Sequence, residues 1–181
     1  MGFDAKDIVR AVEVLRAGGV ILYPTDTVWG IGCDATNAEA VNRIYRIKKR
    51  EDSKAMLVLV GDEPSATLRG CEAEGERPTT IIYKYAGEVA QNLRAADGTL
   101  GVRVTKEEFS RELCRRLGKP IVSTSANISG QPTAKKFSEI DANIREAVDY
   151  VCLYRRDDEE DKLPSRIIKL NEDGTVTVIR P

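Results

Sequence analysis

Short apolar runs alternate with amphipathic stretches of helical spacing along most of this chain, and that alternation restricts it to the α/β class. Val20-Ile21-Leu22-Tyr23, halted by Pro24, has the make-up of a short buried strand. Met56–Val60, Thr79–Tyr83, Gly101–Val104 and Tyr150–Tyr154 read the same way. Trp29–Cys33 is extended, its glycines marking close backbone approach. Helices are predicted from an Asp4 N-cap to about Ala17, with Ile8, Val9, Val12 and Leu15 on one face, then from about Ala38 to Lys49 and from Phe109 to Leu117. Shorter helices are expected around Glu88–Leu93 and Ile140–Ala147. Arg166–Leu170, a turn at Asn171–Gly174 and Thr175–Ile179 form a hairpin by pattern. The expectation is one domain over residues 1–181, a twisted mixed β-sheet flanked by helices.

One stretch stands apart. Ile121-Val122-Ser123-Thr124-Ser125-Ala126-Asn127-Ile128-Ser129-Gly130 begins as a buried strand and changes within one residue into hydroxyls, an amide and a glycine. Small side chains and convergent hydrogen-bonding groups suit a phosphate or carboxylate, though a polar turn after a core strand has the same composition.

Far upstream lies Lys48-Lys49-Arg50-Glu51-Asp52-Ser53-Lys54. Basic residues in a last helical turn complement the helix dipole and need no ligand. Yet a polyphosphate site without a Gly-rich lysine loop must neutralise charge with side chains such as these. Thr25-Asp26-Thr27 after a strand is either an Asx-type turn or a pocket mouth lined with hydroxyls. Arg103, in an apolar strand, either snorkels from a sheet edge or clamps a carboxylate. Tyr23 and Trp29 read as core. These groups sit where strands and helices run out, the usual place of sites in α/β sheets.

Composition narrows the chemistry. With no histidine among 181 residues, His-activated nucleophiles and His-ligated metals are excluded. The four cysteines show no Cys-x-x-Cys spacing, so neither a zinc knuckle nor a redox pair is expected, and reduced, partly buried thiols are. A net charge of -1 advertises no broad cationic surface for nucleic acid. No run is long enough to span a membrane and the N-terminus has no signal core, so a cytoplasmic location is expected. Glu72–Arg77 and the acidic run Asp157–Asp161 are expected to be solvated loops. Chemistry here must run on Lys, Arg, hydroxyls, carboxylates and a magnesium ion brought by a substrate, with no protein metal site legible.

Three ordered segments resemble a known family. Tyr23-Pro24-Thr25-Asp26-Thr27-Val28-Trp29-Gly30 is similar to a Pro-Thr-(Glu/Asp)-Thr-x-(Tyr/Trp)-Gly signature, Lys48-x-Arg50 to a Lys-x-Arg motif, and Ser125-Ala126-Asn127 to a Ser-x-Asn motif. All belong to the YrdC-like threonylcarbamoyl-AMP synthases, and the likeness runs from about Gly18 onward. It implies a nucleotidyltransferase joining L-threonine, bicarbonate (or CO₂) and ATP, with Mg2+, into threonylcarbamoyl-AMP and pyrophosphate. The product would feed a separate tRNA threonylcarbamoyl transferase complex. By family pattern Thr27 and Arg103 hold threonine, with Leu59 and Ser123 lining its pocket and Ser165 closing over it. Arg50, Lys54, Thr99, Ser125, Asn127, Thr133 and Arg180 face ATP, and Lys48 joins Arg50 as a catalytic cation.

The chain departs from the pattern after Arg50, where Glu51-Asp52-Ser53-Lys54-Ala55 replaces a proline-rich loop. Pro164-Ser165-Arg166-Ile167 also stands where Pro-Ser-Thr is usual. The extra C-terminal domain of longer members is expected to be absent. Rival readings are a YciO-like paralogue with altered activity and a YrdC-like RNA-binding or ribosome-associated module, with weak tRNA binding. A carbamoyl-handling domain of hydrogenase maturation factors is also weighed, but that fold normally sits in a longer, zinc-finger-bearing chain.

Overall fold

The computed structural model describes residues 2–50, 56–62 and 77–181. Helix α1, Ala5–Arg16, starts where the Asp4 carboxylate accepts the Lys6 amide at 2.9 Å. Strands β1, Ile21–Tyr23, and β2, Gly30–Gly32, follow and pair antiparallel. Helix α2, Ala38–Lys48, is capped by Asn37 and closes at Lys49 in the left-handed conformation, φ 50°. Then come β3, Leu57–Val60; β4, Thr79–Tyr83; β5, Leu100–Val104; α3, Glu108–Leu117; and β6, Ile121–Ser125. Helix α4, Ala142–Ala147, leads to β7, Tyr150–Val151, and the hairpin β8, Arg166–Leu170, with β9, Val176–Arg180, ends the fold.

The described strands form one sheet in the order β7-β1-β2-β6-β3-β5-β4-β8-β9. It is mixed, as the alternation predicts: β1–β7, β3–β5 and β4–β8 run parallel and the other pairs antiparallel. Because side chains alternate along a strand, two cores form on opposite faces. Val58, Val122, Ile31 and Leu22 pack against Val41, Ile44 and Ile144 of α2 and α4. Leu59, Ile121, Ile21 and Tyr23 pack against Ile8, Leu15, Phe109 and Leu113 of α1 and α3.

Two expectations are corrected. The helix around Glu88–Leu93 is only a 3-10 turn, Gln91–Leu93. The Arg94 guanidinium takes the carbonyls of Tyr85 and Gly87 at 2.8 and 3.0 Å, and the Ala90 amide goes to Ala35. Those groups are withdrawn from any helical ladder. The strand expected over Tyr150–Tyr154 stops at Val151, because the buried Asp7 carboxylate takes the Leu153 and Tyr154 amides at 2.9–3.0 Å. The acidic run is the solvated loop expected, with Asp157, Glu159, Glu160 and Asp161 exposed, and it carries ion pairs. Asp158 pairs with Arg155, Glu159 with Lys136, Glu160 with Lys162 and Asp161 with Lys135. The hairpin forms as expected, its turn closed by Gly174 at φ +83°. Of the four cysteines, Cys33, Cys114 and Cys152 are free and buried, and burial raises all three thiols, Cys114 to about 12. Cys71 and nearly all of Glu72–Arg77 lie outside the described residues.

Candidate active site

Beyond the ends of α1 and α3, on the same face of the sheet, lies a cavity of about 740 Å3. Its floor follows from strand alternation. Leu57 and Leu59 share a face, so Leu57, Gly101, Ser123, Thr80 and Ile167 continue the α1/α3 face past the point where helices cover it. Gly101 keeps that floor open, since a Cβ there would lie 3.3 Å from Leu57 Cβ and Thr80 Cγ2. The walls come from Thr27–Gly30, Arg50, Thr99, Ser125, Thr133, Pro164–Ser165 and Ile179–Arg180. Trp29, read as core, is both: it is 5% exposed, packs on Phe137 at 4.8 Å between ring centroids, and lines the cavity.

Arg103 is the most buried charge among the described lining residues. It lies in a central strand at 3% exposure, so the edge-snorkelling alternative falls. Nε donates to Asp26 Oδ1 at 3.0 Å, Nη2 to Thr27 Oγ1 at 3.2 Å, and Nη1 to Thr80 Oγ1 at 3.5 Å. A buried guanidinium persists only if paired, and Asp26, its side chain 7% exposed, supplies the pairing. Thr25 fixes the loop: its hydroxyl accepts the Thr27 amide at 3.0 Å and donates to the Val28 carbonyl at 2.7 Å. Thr80 and Ser165 hydroxyls meet at 2.8 Å, and Arg180 donates to the Ser165 carbonyl at 2.7 Å and hydroxyl at 3.3 Å. Burial, then Arg77 and Arg103, lowers the Arg180 pKa.

Lys48 does not line the cavity. It is 1% exposed, and its ammonium donates to the Ser125 carbonyl and, at 2.8 Å, to the Asn127 carbonyl. The Ser129 amide returns a bond to the Lys48 carbonyl at 2.9 Å. Lys48 thus braces the hydroxyl-rich turn after β6 from behind. Burial first, and Arg50 second, pull its pKa down to about 7. Arg50, carried past the left-handed Lys49, reaches the cavity wall; burial lowers its pKa as well. Asn127 also stays off the wall, donating to the Ile128 and Gln131 carbonyls at 3.0 Å. Leu59 lies fully buried in the α1/α3 core behind the cavity, not at its surface. Lys54 lies outside the described residues.

Thr27, Arg50, Thr99, Arg103, Ser123, Ser125, Thr133, Ser165 and Arg180 therefore share one cavity. Sequence reasoning missed Asp26 as the partner of Arg103, and missed Thr80, Asp97 and Lys169. Asp97 is the only carboxylate among the described lining residues. It accepts the Thr99 amide and hydroxyl at 3.0 and 2.6 Å and faces Lys169 at 3.1 Å. The Thr99 hydroxyl, then its amide and Lys169, hold the Asp97 carboxyl well below the usual range. The described residues contain no His/Cys/Asp/Glu group able to hold a metal ion by itself. Asp97, already bonded to Thr99 and Lys169, is the one carboxylate that the described lining residues could offer a divalent cation.

A model of the Sua5/YciO/YrdC family, described as telomere recombination, matches residues 13–181. The threonylcarbamoyl-AMP synthase of Chromohalobacter salexigens is 36% identical over 154 residues, 80% of this chain and 83% of the relative. That of Stenotrophomonas maltophilia is 34% identical over 151 residues, 77% and 81% of the two chains. Among solved structures, E. coli YciO superposes with a TM-score of 0.82 at 28% identity, covering 98% of this chain and 89% of that one. P. abyssi Sua5 complexed with L-threonine gives 0.76 at 22% identity, covering 96% of this chain and 53% of that one, a likeness of fold. With the model spanning nearly the whole sheet and the cavity it encloses, this chain belongs to the Sua5/YciO/YrdC family.

Proposed function

We propose that this chain is an L-threonylcarbamoyladenylate synthase, acting in the cytoplasm on L-threonine, bicarbonate or CO₂, and ATP. The observation that carries this reading is the convergence of three sequence motifs, with the buried Arg103, on one cavity. The names of the relatives supply the substrates. Arg103 and Thr27 take the threonine carboxylate, Ser123 and Ser165 bound the amino acid, and Arg50, Thr99, Ser125, Thr133 and Arg180 face the nucleotide. Leu59 and Asn127 support these walls from behind. Lys48 acts by bracing the Ser125–Asn127 turn, and Lys54 keeps the nucleotide role that the family pattern gives it.

The threonine amine and CO₂ form a carbamate with loss of a proton. A carbamate oxygen attacks the α-phosphorus of ATP, a new P–O bond forms, the bond to the β-phosphate oxygen breaks, and pyrophosphate leaves. The chain's part is positioning and electrostatic stabilisation, which needs no histidine. Magnesium supplies charge neutralisation on the phosphates. The mixed anhydride passes to a downstream tRNA threonylcarbamoyl transferase complex.

The test is pyrophosphate release from ATP and magnesium with L-threonine and bicarbonate omitted in turn. Release that requires both supports the synthase. Folded protein without release overturns it, and a salt-dependent tRNA titration then separates an RNA-binding module from an inactive paralogue.

A further inference from the structure

A guanidinium offers two ways to take a carboxylate: side-on through Nε and Nη2, or end-on through its two terminal nitrogens. In Arg103 the side-on edge is already occupied. Asp26 holds Nε at 3.0 Å and Thr27 holds Nη2 at 3.2 Å. The remaining contact, Nη1 to Thr80, is long at 3.5 Å. Five N–H groups are present on such a side chain, so each terminal nitrogen keeps a further N–H on the end-on edge. Arg103, Thr27 and Thr80 line the 740 Å3 cavity, whereas Asp26 does not; it lines a neighbouring cavity of about 640 Å3. The Nε that Asp26 holds therefore lies away from the substrate space, while the two terminal nitrogens, whose partners Thr27 and Thr80 both line that space, lie toward it.

We infer that Asp26 is a positioning residue for substrate: by occupying Nε it fixes the Arg103 plane so that an amino-acid carboxylate is received end-on by Nη1 and Nη2. Asp26 also balances the buried charge of Arg103. Thr25 extends the same device by one bond, since it orients Thr27, the other group on the side-on edge. This inference rests on the reading of the cavity as an amino-acid and ATP site, and it adds which atoms meet the amino acid and what aims them.

The experiment is calorimetric binding of L-threonine, of L-threoninol (which lacks the carboxylate) and of ATP to wild type, Asp26→Asn and Asp26→Glu. In Asp26→Asn, threonine affinity is expected to fall roughly tenfold to hundredfold, the scale of a hydrogen bond to a charged group. ATP affinity should hold within about twofold, the preference for threonine over threoninol should shrink, and Asp26→Glu should recover part of the loss. Threonine binding to Asp26→Asn within about twofold of wild type overturns the inference. Equal losses of threonine and ATP, with a lower melting temperature, overturn it in favour of a purely structural ion pair. Wild type that binds ATP and no threonine overturns the functional reading itself, a separate result. If Asp26→Asn does not fold, nitrogen-15 spectra of wild type decide. The Arg103 Nε–H signal should stay protected and unmoved as threonine is added while its Nη signals shift, and a moving Nε–H overturns the inference.

Discussion

Lys48 shows how little a residue's type says about its task until its surroundings are known. The sequence marks it as a cation near phosphate, but the fold turns its ammonium inward onto the carbonyls of Ser125 and Asn127. Its pKa near 7 lies below the ordinary 10.5, so between those values the unfolded chain binds more protons than the native one. Stability contributed by this group therefore rises with pH from about 7 and is lost as pH falls toward that value. Urea unfolding of wild type should accordingly gain midpoint relative to Lys48→Met as pH is raised from about 7 to about 9.5; parallel curves would refute the assignment. Arg50 has the other fate, reaching the cavity wall. Arg50→Ala should lower kcat/KM for pyrophosphate release by about 100-fold or more and shift the melting temperature by less than about 4 °C. Near-wild-type turnover would remove Arg50 from the site. The residues that short motifs carry, such as Thr27, Arg50 and Ser125, were legible in the sequence. Asp26 as a partner of Arg103 was not, because that pairing joins positions 77 residues apart. Lys169 meeting Asp97 is hidden for the same reason, at a separation of 72.

Among the elements, β2 is short and depends on having no side chains. A Cβ on Gly32 would lie 2.6 Å from both Tyr23 Cε1 and the Val122 carbonyl, so β2 approaches its neighbours more closely than any other residue permits. Gly32→Ala should destabilise the fold by about 1–3 kcal/mol, the usual cost of overpacking. A urea midpoint within error of wild type would show that the strands can separate at no cost. Periodicity marked the three long helices and most strands, since each carries enough apolar residues to set its own register. It failed where a single side chain takes backbone groups from the local ladder: Arg94, reaching seven and nine residues back near residue 90, and Asp7, from the far end of the chain, at the end of β7.

On the scale of the molecule, the segment 152–165 leaves the sheet at one edge strand, β7, and re-enters at β8, next to the opposite edge. On the way Arg155 donates to the Thr25 carbonyl at 3.2 Å, and the acidic run meets Lys135 and Lys136, close to the cavity-lining Thr133. Each exposed pair is weak alone, and all are screened when the Debye length falls from about 10 Å at 0.1 M salt to about 3 Å at 1 M. Limited proteolysis between residues 157 and 163 should therefore speed up at high salt while the melting temperature changes little. Equal rates at both salt concentrations would show that the pairs do not hold the segment.

That crossing also gives the protein an order of assembly. A nascent polypeptide that has emerged as far as β7 already holds Thr27, Arg50 and Arg103, yet it lacks Ser165 and Arg180, which close the same cavity. The ligand site and the last sheet pairings are therefore finished together, at the end of the longest-range steps and so late in folding. Bound nucleotide would then act as a latch on the whole molecule, adding about 2.7 kcal/mol at a hundredfold excess over its Kd. Substrate supply would set how long each newly made copy survives as well as how fast it turns over.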